Sequence, residues 1–200
     1  NEHGATPLYV SCEEGHTEIV KLLAQLGANI ETPKEDGATP VFMSSQDGHT
    51  ETVKALAQLG ANIETPDNEG ATPMFSASNG GHTETLRLLA KLGADIDTPT
   101  KDGATPVFIA SQHGHTETVR ALAQLGANIE TPNQVDGATP VLISSHNGHT
   151  ETVRALAQLG ANIDTPNKNG WTPLLLASYE GYAPIVSALL AHGADPSIAT

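Results

Sequence analysis

Histidine and cysteine are the side chains of this sequence that could perform metal or nucleophilic chemistry. Of the nine histidines in 200 residues, five recur at one regular spacing, and His113 and His146 occupy equivalent places in neighbouring stretches. Two adjacent imidazoles could begin a zinc site, but a structural zinc site takes four ligands, and no cysteine or suitably placed carboxylate accompanies this pair. We therefore interpret both as surface polar residues, and a metal-dependent hydrolase built on them is the least favoured alternative.

Cys12 is the only cysteine, so an internal disulfide is impossible and a reducing, cytoplasmic compartment fits the sequence. Equivalent positions elsewhere carry Ser, which indicates a small core site. We expect Cys12 to pack there and not to act as a redox group or nucleophile. No apolar run approaches the roughly 20 residues that a membrane span needs.

A Thr-Pro pair recurs six times, at successive spacings of 33, 33, 33, 34 and 33 residues. A fixed period in this range is typical of a stacked array and not of one globular core. We therefore divide one domain, residues 1–200, into six repeats. Their bounds are 1–33, 34–66, 67–99, 100–132, 133–166 and 167–200.

Each repeat carries local signals for two helices and a finger. Thr39 can cap a helix whose first residue is Pro40, because proline has no amide to leave unpaired, and this predicts a first helix over 40–45. Gly48 ends that helix, and an apolar stripe at helical spacing predicts a second helix over 51–59, closed by Gly60. The following Thr-Pro and Asn/Asp-rich turn predict a hairpin finger. Neither helix can bury its stripe alone, so neighbouring repeats must stack.

This order of helix, Gly, helix, Leu-Gly-Ala and finger resembles the ankyrin repeat, and the resemblance covers the whole chain. The matching letters are Gly-Ala-Thr-Pro, Gly-His-Thr-Glu and Leu-Gly-Ala-Asn-Ile. The resemblance implies an all-α repeat solenoid of stacked helix-turn-helix pairs with β-hairpin fingers. It also implies a protein-binding scaffold whose finger tips and first helices line a concave groove.

Two repeated positions depart from the ankyrin pattern. The family's His after Thr-Pro-Leu is replaced, so we expect apolar packing where its hydrogen bonds would be; the replacements are Tyr9, Phe42, Phe75, Phe108, Leu142 and Leu175. The family's finger Asn, which is hydroxylated in some ankyrin proteins, is acidic here, so we do not expect that modification. The acids are Glu31, Glu64, Asp97, Glu130 and Asp164.

The repeated placement of the glycines and polar residues disfavours an enzyme and a bound cofactor. Of the 19 glycines, all but Gly80 recur at three places per repeat, which leaves none for a phosphate-binding loop. Catalysis needs a local, unrepeated constellation of acid, base or nucleophile, whereas most polar residues here recur in equivalent places. The recurrent His16, His49, His82, His115 and His149 are accordingly interpreted as structural hydrogen-bonding residues of the inter-helix turn.

The residues that vary between repeats are the candidates for partner binding. They lie at the finger tips, in the middle of the first helices and at the first-helix ends. The finger tips contribute Glu2, His3, Glu35, Asp36, Asn68, Glu69, Lys101, Asp102, Asp136 and Lys168. The first helices and the residue before the last one contribute Glu13, Glu14, Met43, Gln46, Asp47, Asn79, Ile109, Gln112, His113, Ile143, His146, Trp171 and Tyr179. The competing interpretation of this variation is neutral drift of solvent-exposed residues.

The charge of the chain, −14, narrows the class of partner. Five acid–base pairs along the second helices cancel, and 16 of the other acids lie on fingers or first-helix ends against three lysines. A strongly negative groove disfavours nucleic acid and anionic membranes, because their phosphates need Lys and Arg. It favours a protein partner with a basic segment, bound by a monomer or by part of a longer chain.

Two other interpretations stay open. Acidity could serve solubility alone, and the same face could belong to a structural or regulatory module that packs against another domain of a longer parent protein. Trp171, which replaces Ala in the other repeats, is either an interface anchor with Tyr179 or packs against a missing seventh repeat.

Overall fold

The computed structural model describes residues 5–198, and this part of the chain contains twelve helices in six pairs. The first helices of the pairs are α1 Pro7–Glu13, α3 Pro40–Gln46, α5 Pro73–Asn79, α7 Pro106–Gln112, α9 Pro140–His146 and α11 Pro173–Tyr179. The second helices are α2 Thr17–Gln25, α4 Thr50–Gln58, α6 Thr83–Lys91, α8 Thr116–Leu125, α10 Thr150–Gln158 and α12 Ala183–Ala191. None of these helices is long and apolar enough to cross a membrane.

The first helix of each pair begins at the proline of a Thr-Pro pair, as predicted. Each Thr is extended and its hydroxyl accepts a backbone N–H three residues on, as Thr39 does from Phe42 at 3.3 Å. Helix α3 ends one residue later than predicted, and α4 covers 50–58 where 51–59 was expected. Gly60, at φ +94°, closes that pair in the left-handed region that glycine tolerates.

The chain divides into two compact units, and the boundary along the sequence falls between Lys101 and Asp102. In the first unit, α1 packs on α2 and α3, α3 packs on α5, and α4 packs on α2 and α6. In the second unit, α9 packs on α7 and α11, and α10 packs on α8 and α12. The stripe residues Val53, Leu56 and Leu89 are fully buried, so each pair hides its apolar face against its neighbours.

Histidine joins successive pairs within each unit. His49 Nε2 donates to the carbonyl of Glu13 at 2.9 Å, and His149 Nε2 donates to that of Gln112 at 2.9 Å. A carbonyl oxygen only accepts, so Nε2 carries the proton in both rings. The recurrent histidines were expected to fix their own inter-helix turn; these two bonds instead reach the preceding repeat.

Threonine hydroxyls form a second set of bonds between repeats. Thr17 and Thr52 share a hydrogen bond at 2.8 Å, and Thr116 and Thr152 share one at 2.8 Å. The second threonine of each pair is only 1% exposed. A buried hydroxyl without a partner would be destabilising, so these bonds hold successive second helices in register.

The fingers are turns, and no β-strand is assigned in residues 5–198. In the first unit Lys34 N–H donates to the Ala38 carbonyl and Gly37 N–H donates to the Lys34 carbonyl, both at 3.0 Å, and these bonds close a turn. The prolines before these turns also lack an N–H to pair. Neighbouring fingers are bonded instead through single amides, as Asn68 N–H is to Asp36 O at 2.8 Å.

Two glycines of one repeat allow the cost of backbone strain to be measured separately from the cost of a steric contact. Gly114 (φ +73°) and Gly126 (φ +98°) are both left-handed, but a Cβ on Gly114 would lie 2.6 Å from His149 Nδ1, whereas one on Gly126 would meet nothing within 4 Å. We expect Gly126→Ala to lower the free energy of unfolding by about 1–2 kcal/mol through strain alone. Gly114→Ala should lower it by about 1 kcal/mol more, through the imidazole contact.

Chemical denaturation of both variants measures this difference. His149→Ala loses its own bond to the Gln112 carbonyl, so it is the reference: in that background Gly114→Ala should cost only the strain. Equal destabilisation by the two single variants would contradict the close contact between the turn and the next repeat's histidine.

Candidate functional site

Finger tips and first helices of the first unit share one surface, which we call the finger–helix face. A cavity of about 370 Å³ opens on this face. It is lined by residues of three successive repeats: Tyr9, Lys34, Asp36, Ala38, Phe42, Met43, Gln46, Asp67, Ala71, Phe75, Ser76 and Asn79. The cavity therefore combines aromatic walls, amides and carboxylates drawn from three repeats.

Carboxylates surround Tyr9 in this cavity. Burial raises the pKa of the Tyr9 phenol far above its usual range, and the charges of Asp36, Glu13 and Asp47 raise it further. Lys34 offsets part of this charge: its Nζ lies 3.4 Å from Glu13 Oε1 and 4.5 Å from the centre of the Tyr9 ring. The phenol thus stays protonated in a negative environment.

Asp47 lies among charges of both signs. Partial burial raises its pKa; His49 and His82 lower it, and Glu13 and Glu14 raise it, so the neighbouring charges largely cancel at this carboxyl.

The predicted partner-binding residues of the first unit lie at its surface. Those that are exposed are Glu14, Glu35, Asp36, Asp47, Asn68, Glu69 and Lys101. Those that are half-buried are Glu13, Met43, Gln46 and Asn79. Glu2 and His3 lie outside the described residues. The cavity brings Asp36, Met43, Gln46 and Asn79 together on one wall.

The predicted residues of the second unit form smaller groups. Asp102, His113, His146, Lys168 and Tyr179 are exposed, and Ile109, Gln112, Asp136, Ile143 and Trp171 are half-buried. The Trp171 and Tyr179 rings meet edge to face with centroids 5.5 Å apart, and Tyr179 remains 75% exposed. These two aromatics offer the largest apolar contact on this unit's fingers and first helices.

His113 and His146 have different neighbours. The His113 ring lies 6.0 Å from that of His115, and burial lowers its pKa, aided by His115 and His149. His146 Nε2 lies instead 3.6 Å from Glu180 Oε1. Across residues 5–198, no three His, Cys, Asp or Glu side chains are grouped to hold a metal ion.

The repeated finger acids have a role that sequence reasoning missed. Glu31 accepts the backbone N–H of Asn62 at 2.7 Å, and Glu64 accepts that of Asp95 at 2.8 Å. In the second unit Glu130 accepts from Asn162 at 2.8 Å. These carboxylates join successive repeats, so they are not free groove charge, although they were counted with it. Because these acids recur at one position of the repeat, the sequence could have identified them as structural residues distinct from the groove charge.

Without those repeated acids, the charge is uneven between the units. The remaining finger and first-helix acids of residues 5–101 are Glu13, Glu14, Glu35, Asp36, Asp47, Asp67 and Glu69, with Lys34 and Lys101 beside them. The corresponding acids of residues 102–198 are Asp102, Asp136 and Glu180, with Lys168. The first unit's finger–helix face is therefore the more acidic.

The chain matches a known family along its whole length. The family model described as ankyrin repeats (3 copies) matches residues 1–67, 59–133 and 126–200. The chain belongs to the ankyrin-repeat family, whose members are in general protein-interaction modules. No curated protein matches the sequence.

Solved structures carry the same all-helical repeat fold. The human ASB11 ankyrin repeat domain superposes with a TM-score of 0.87 at 26% identity, covering 96% of this chain and 86% of that one. An ankyrin repeat domain from Acinetobacter baumannii AYE superposes with a TM-score of 0.82 at 28% identity, covering 94% and 98%. The chain is thus an all-α repeat protein of stacked helix pairs.

Glu64 tests the structural role of the repeated acids. Glu64→Ala removes the acceptor for the Asp95 amide and should lower the free energy of unfolding by about 1 kcal/mol. Glu64→Gln keeps a carbonyl oxygen in the same place and should lose much less. Glu69→Ala, at an exposed finger tip, is the matched control, with an expected change below about 0.5 kcal/mol. Urea unfolding that ranks Glu64→Gln with Glu64→Ala would contradict the assignment.

Cys12 should be unreactive in the folded protein. Its side chain is fully buried, and burial raises the pKa of the thiol to about 11. An unfolded thiol ionises near pH 8.5, so at that pH the folded protein holds only about 0.3% thiolate. Since the unfolded form loses its proton first, stability should decrease as the pH rises from about 8.5 towards 11.

Reaction with a chromogenic disulfide reagent at pH 8, with and without denaturant, measures this protection. We expect complete labelling only after unfolding. Rapid labelling of the folded chain would contradict the buried placement.

Proposed function

We propose that this chain is a non-catalytic protein-binding scaffold that takes a basic segment of its partner on the finger–helix face of the first unit. The observation that carries the proposal is that Asp36 and Asp67 line the cavity at Tyr9, whose pKa the charges of Asp36, Glu13 and Asp47 also raise. Ankyrin repeats bind proteins in general, and the negative charge of these acids favours a positively charged segment of the partner. Nucleic acid and anionic membranes are disfavoured, because their phosphates would meet like charge.

Charge and apolar surface would contribute differently to binding. The acidic face attracts a basic segment over long range, which speeds association and makes it sensitive to salt. On the first unit, Met43 supplies apolar contact area at the cavity. On the second unit, Ile109, Ile143, Trp171 and Tyr179 form a separate candidate surface, since Trp and Tyr often dominate binding energy in interfaces.

The absence of catalysis is part of the proposal. Its support is that the recurrent polar side chains already have structural partners: Thr52 bonds Thr17, His149 bonds the Gln112 carbonyl, and Glu64 bonds the Asp95 amide. Residues held in this way hold the repeats together and are not available as a general acid, base or nucleophile.

A second candidate is a module that packs against another domain of a longer parent protein. The first repeat favours it, because helix α2 exposes Ile19 (47%), Leu22 (54%) and Leu26 (76%). The equivalents of the first two in the next repeat are the buried Thr52 and Ala55. Large apolar side chains at a position that neighbours normally cover suit an intramolecular contact.

A charge-neutralised variant separates the proposed face from net charge. The groove variant carries Glu14→Gln, Glu35→Gln, Asp47→Asn and Glu69→Gln, four exposed acids of the finger–helix face. The control variant carries Glu18→Gln, Glu51→Gln, Glu84→Gln and Glu117→Gln, four exposed acids of the second helices. Both change the net charge by the same amount.

The probe is an eight-residue peptide of alternating Arg and Gly, titrated at low salt by calorimetry. We expect the groove variant to bind about tenfold more weakly than the wild type and the control variant about twofold more weakly. Raising the salt from about 50 mM to about 500 mM should weaken wild-type binding more than groove-variant binding. Equal weakening of the two variants would leave only non-specific attraction and overturn the proposal.

A further inference from the structure

Tyr9 lines the cavity of the first unit, and its hydroxyl has no hydrogen-bond partner among the described residues. The residue is 1% exposed, and its Oη is the one buried side-chain oxygen or nitrogen of residues 5–198 without a hydrogen-bond partner. Other buried hydroxyls of this unit are bonded, as Ser45 is to the Val41 carbonyl at 2.7 Å and Ser76 is to the Phe42 carbonyl at 3.3 Å. Native proteins seldom leave such a group unpaired, so the exception at a cavity points to a ligand.

The cavity offers acceptors and aromatic surface around this hydroxyl. Asp36 and Asp67 each use Oδ1 to accept a backbone amide, from Ala38 at 2.9 Å and from Ala71 at 2.8 Å. Their Oδ2 atoms make no described bond. Phe42 and Phe75 line the same cavity. Acceptor oxygens beside aromatic rings suit a flat cation with several N–H donors.

We propose that this cavity takes one arginine side chain of the partner, with the guanidinium donating to Tyr9 Oη and to the Asp36 carboxylate. This rests on the proposed function and names the group that the acidic face recognises. Arginine fits better than lysine, because its planar fork donates along several directions and stacks on aromatic faces. Lys34, with Nζ 4.5 Å from the centre of the Tyr9 ring, shows that this ring already accepts a neighbouring cation.

The cavity has room for a side chain. Its volume of about 370 Å³ lies within the range for small-molecule sites, roughly 300–1,000 Å³, so the choice of arginine rests on charge and hydrogen bonding and not on size. An anionic ligand would meet Asp36 and Asp67, together with the charges of Glu13 and Asp47 that act on Tyr9. An ordered water could also pair the hydroxyl, and the test separates that case.

The test uses Tyr9→Phe and a capped Gly-Arg-Gly tripeptide followed by amide chemical shifts. Phenylalanine stands at the equivalent position in three other repeats, as Phe42, Phe75 and Phe108, so the fold accepts the change. We expect saturable shifts at the Ala38 and Ala71 amides, about tenfold weaker binding of the neutral citrulline tripeptide, and weaker binding of the lysine one. Tyr9→Phe should weaken arginine binding about threefold or more and raise the melting temperature of the free protein, because it removes an unpaired buried hydroxyl.

Tyr182→Phe is the matched control, because that ring belongs to the second unit and does not line the cavity, and both readouts should stay at wild-type values. Unchanged arginine binding in Tyr9→Phe would overturn the inference and indicate a hydrated hydroxyl. Equal binding of the lysine tripeptide would overturn the assignment to a guanidinium.

The Arg-Gly peptide keeps the two proposals distinguishable. If Tyr9→Phe binds that peptide as the wild type does while the groove variant loses it, the acidic face stands and the arginine pocket fails. If the wild type binds neither the peptide nor the tripeptide, both fail.

Discussion

Each helix pair depends on polar bonds to the next pair, because helices of seven to ten residues are too short to be stable alone. Within each unit, three kinds of side chain make these bonds: a threonine hydroxyl, a histidine ring and a finger carboxylate, represented by Thr52, His149 and Glu64. Apolar burial supplies most of the stabilisation, and these directional bonds fix the register of the stack. The same bonds explain why the residues that make them recur in most repeats.

The recurrent bonds leave the unrepeated residues for recognition. Glu14, Asp47 and Glu69 are exposed at positions whose residue type varies between repeats, and few basic residues accompany them. Tyr9 differs from the phenylalanines at its equivalent positions by one hydroxyl, and that hydroxyl is the one left without a partner. Variation between repeats and an unmet polar need therefore coincide on the first unit. Both observations support the proposed acidic face and its arginine pocket.

Local chemistry made much of the fold predictable. Thr39, Pro40 and Gly60 each determine a helix end through a cap, a fixed φ or a left-handed turn, so those boundaries came within a residue of the structure. Non-local bonds could not be predicted in this way. A period of 33 residues aligns equivalent positions but does not say which neighbouring atom His149 or Glu64 reaches. The finger acids were therefore counted as groove charge, and the fingers were expected as hairpins where the structure has turns.

The central claim is that a basic segment binds the finger–helix face of the first unit. Photo-crosslinking tests it most directly, using the Arg-Gly peptide with a benzophenone amino acid at its centre and mass spectrometry to locate the attached residues. The account predicts attachment on the fingers and first helices of residues 34–79, around Met43 and Gln46 at the cavity. Attachment concentrated on the second helices, or within residues 102–198, would contradict it.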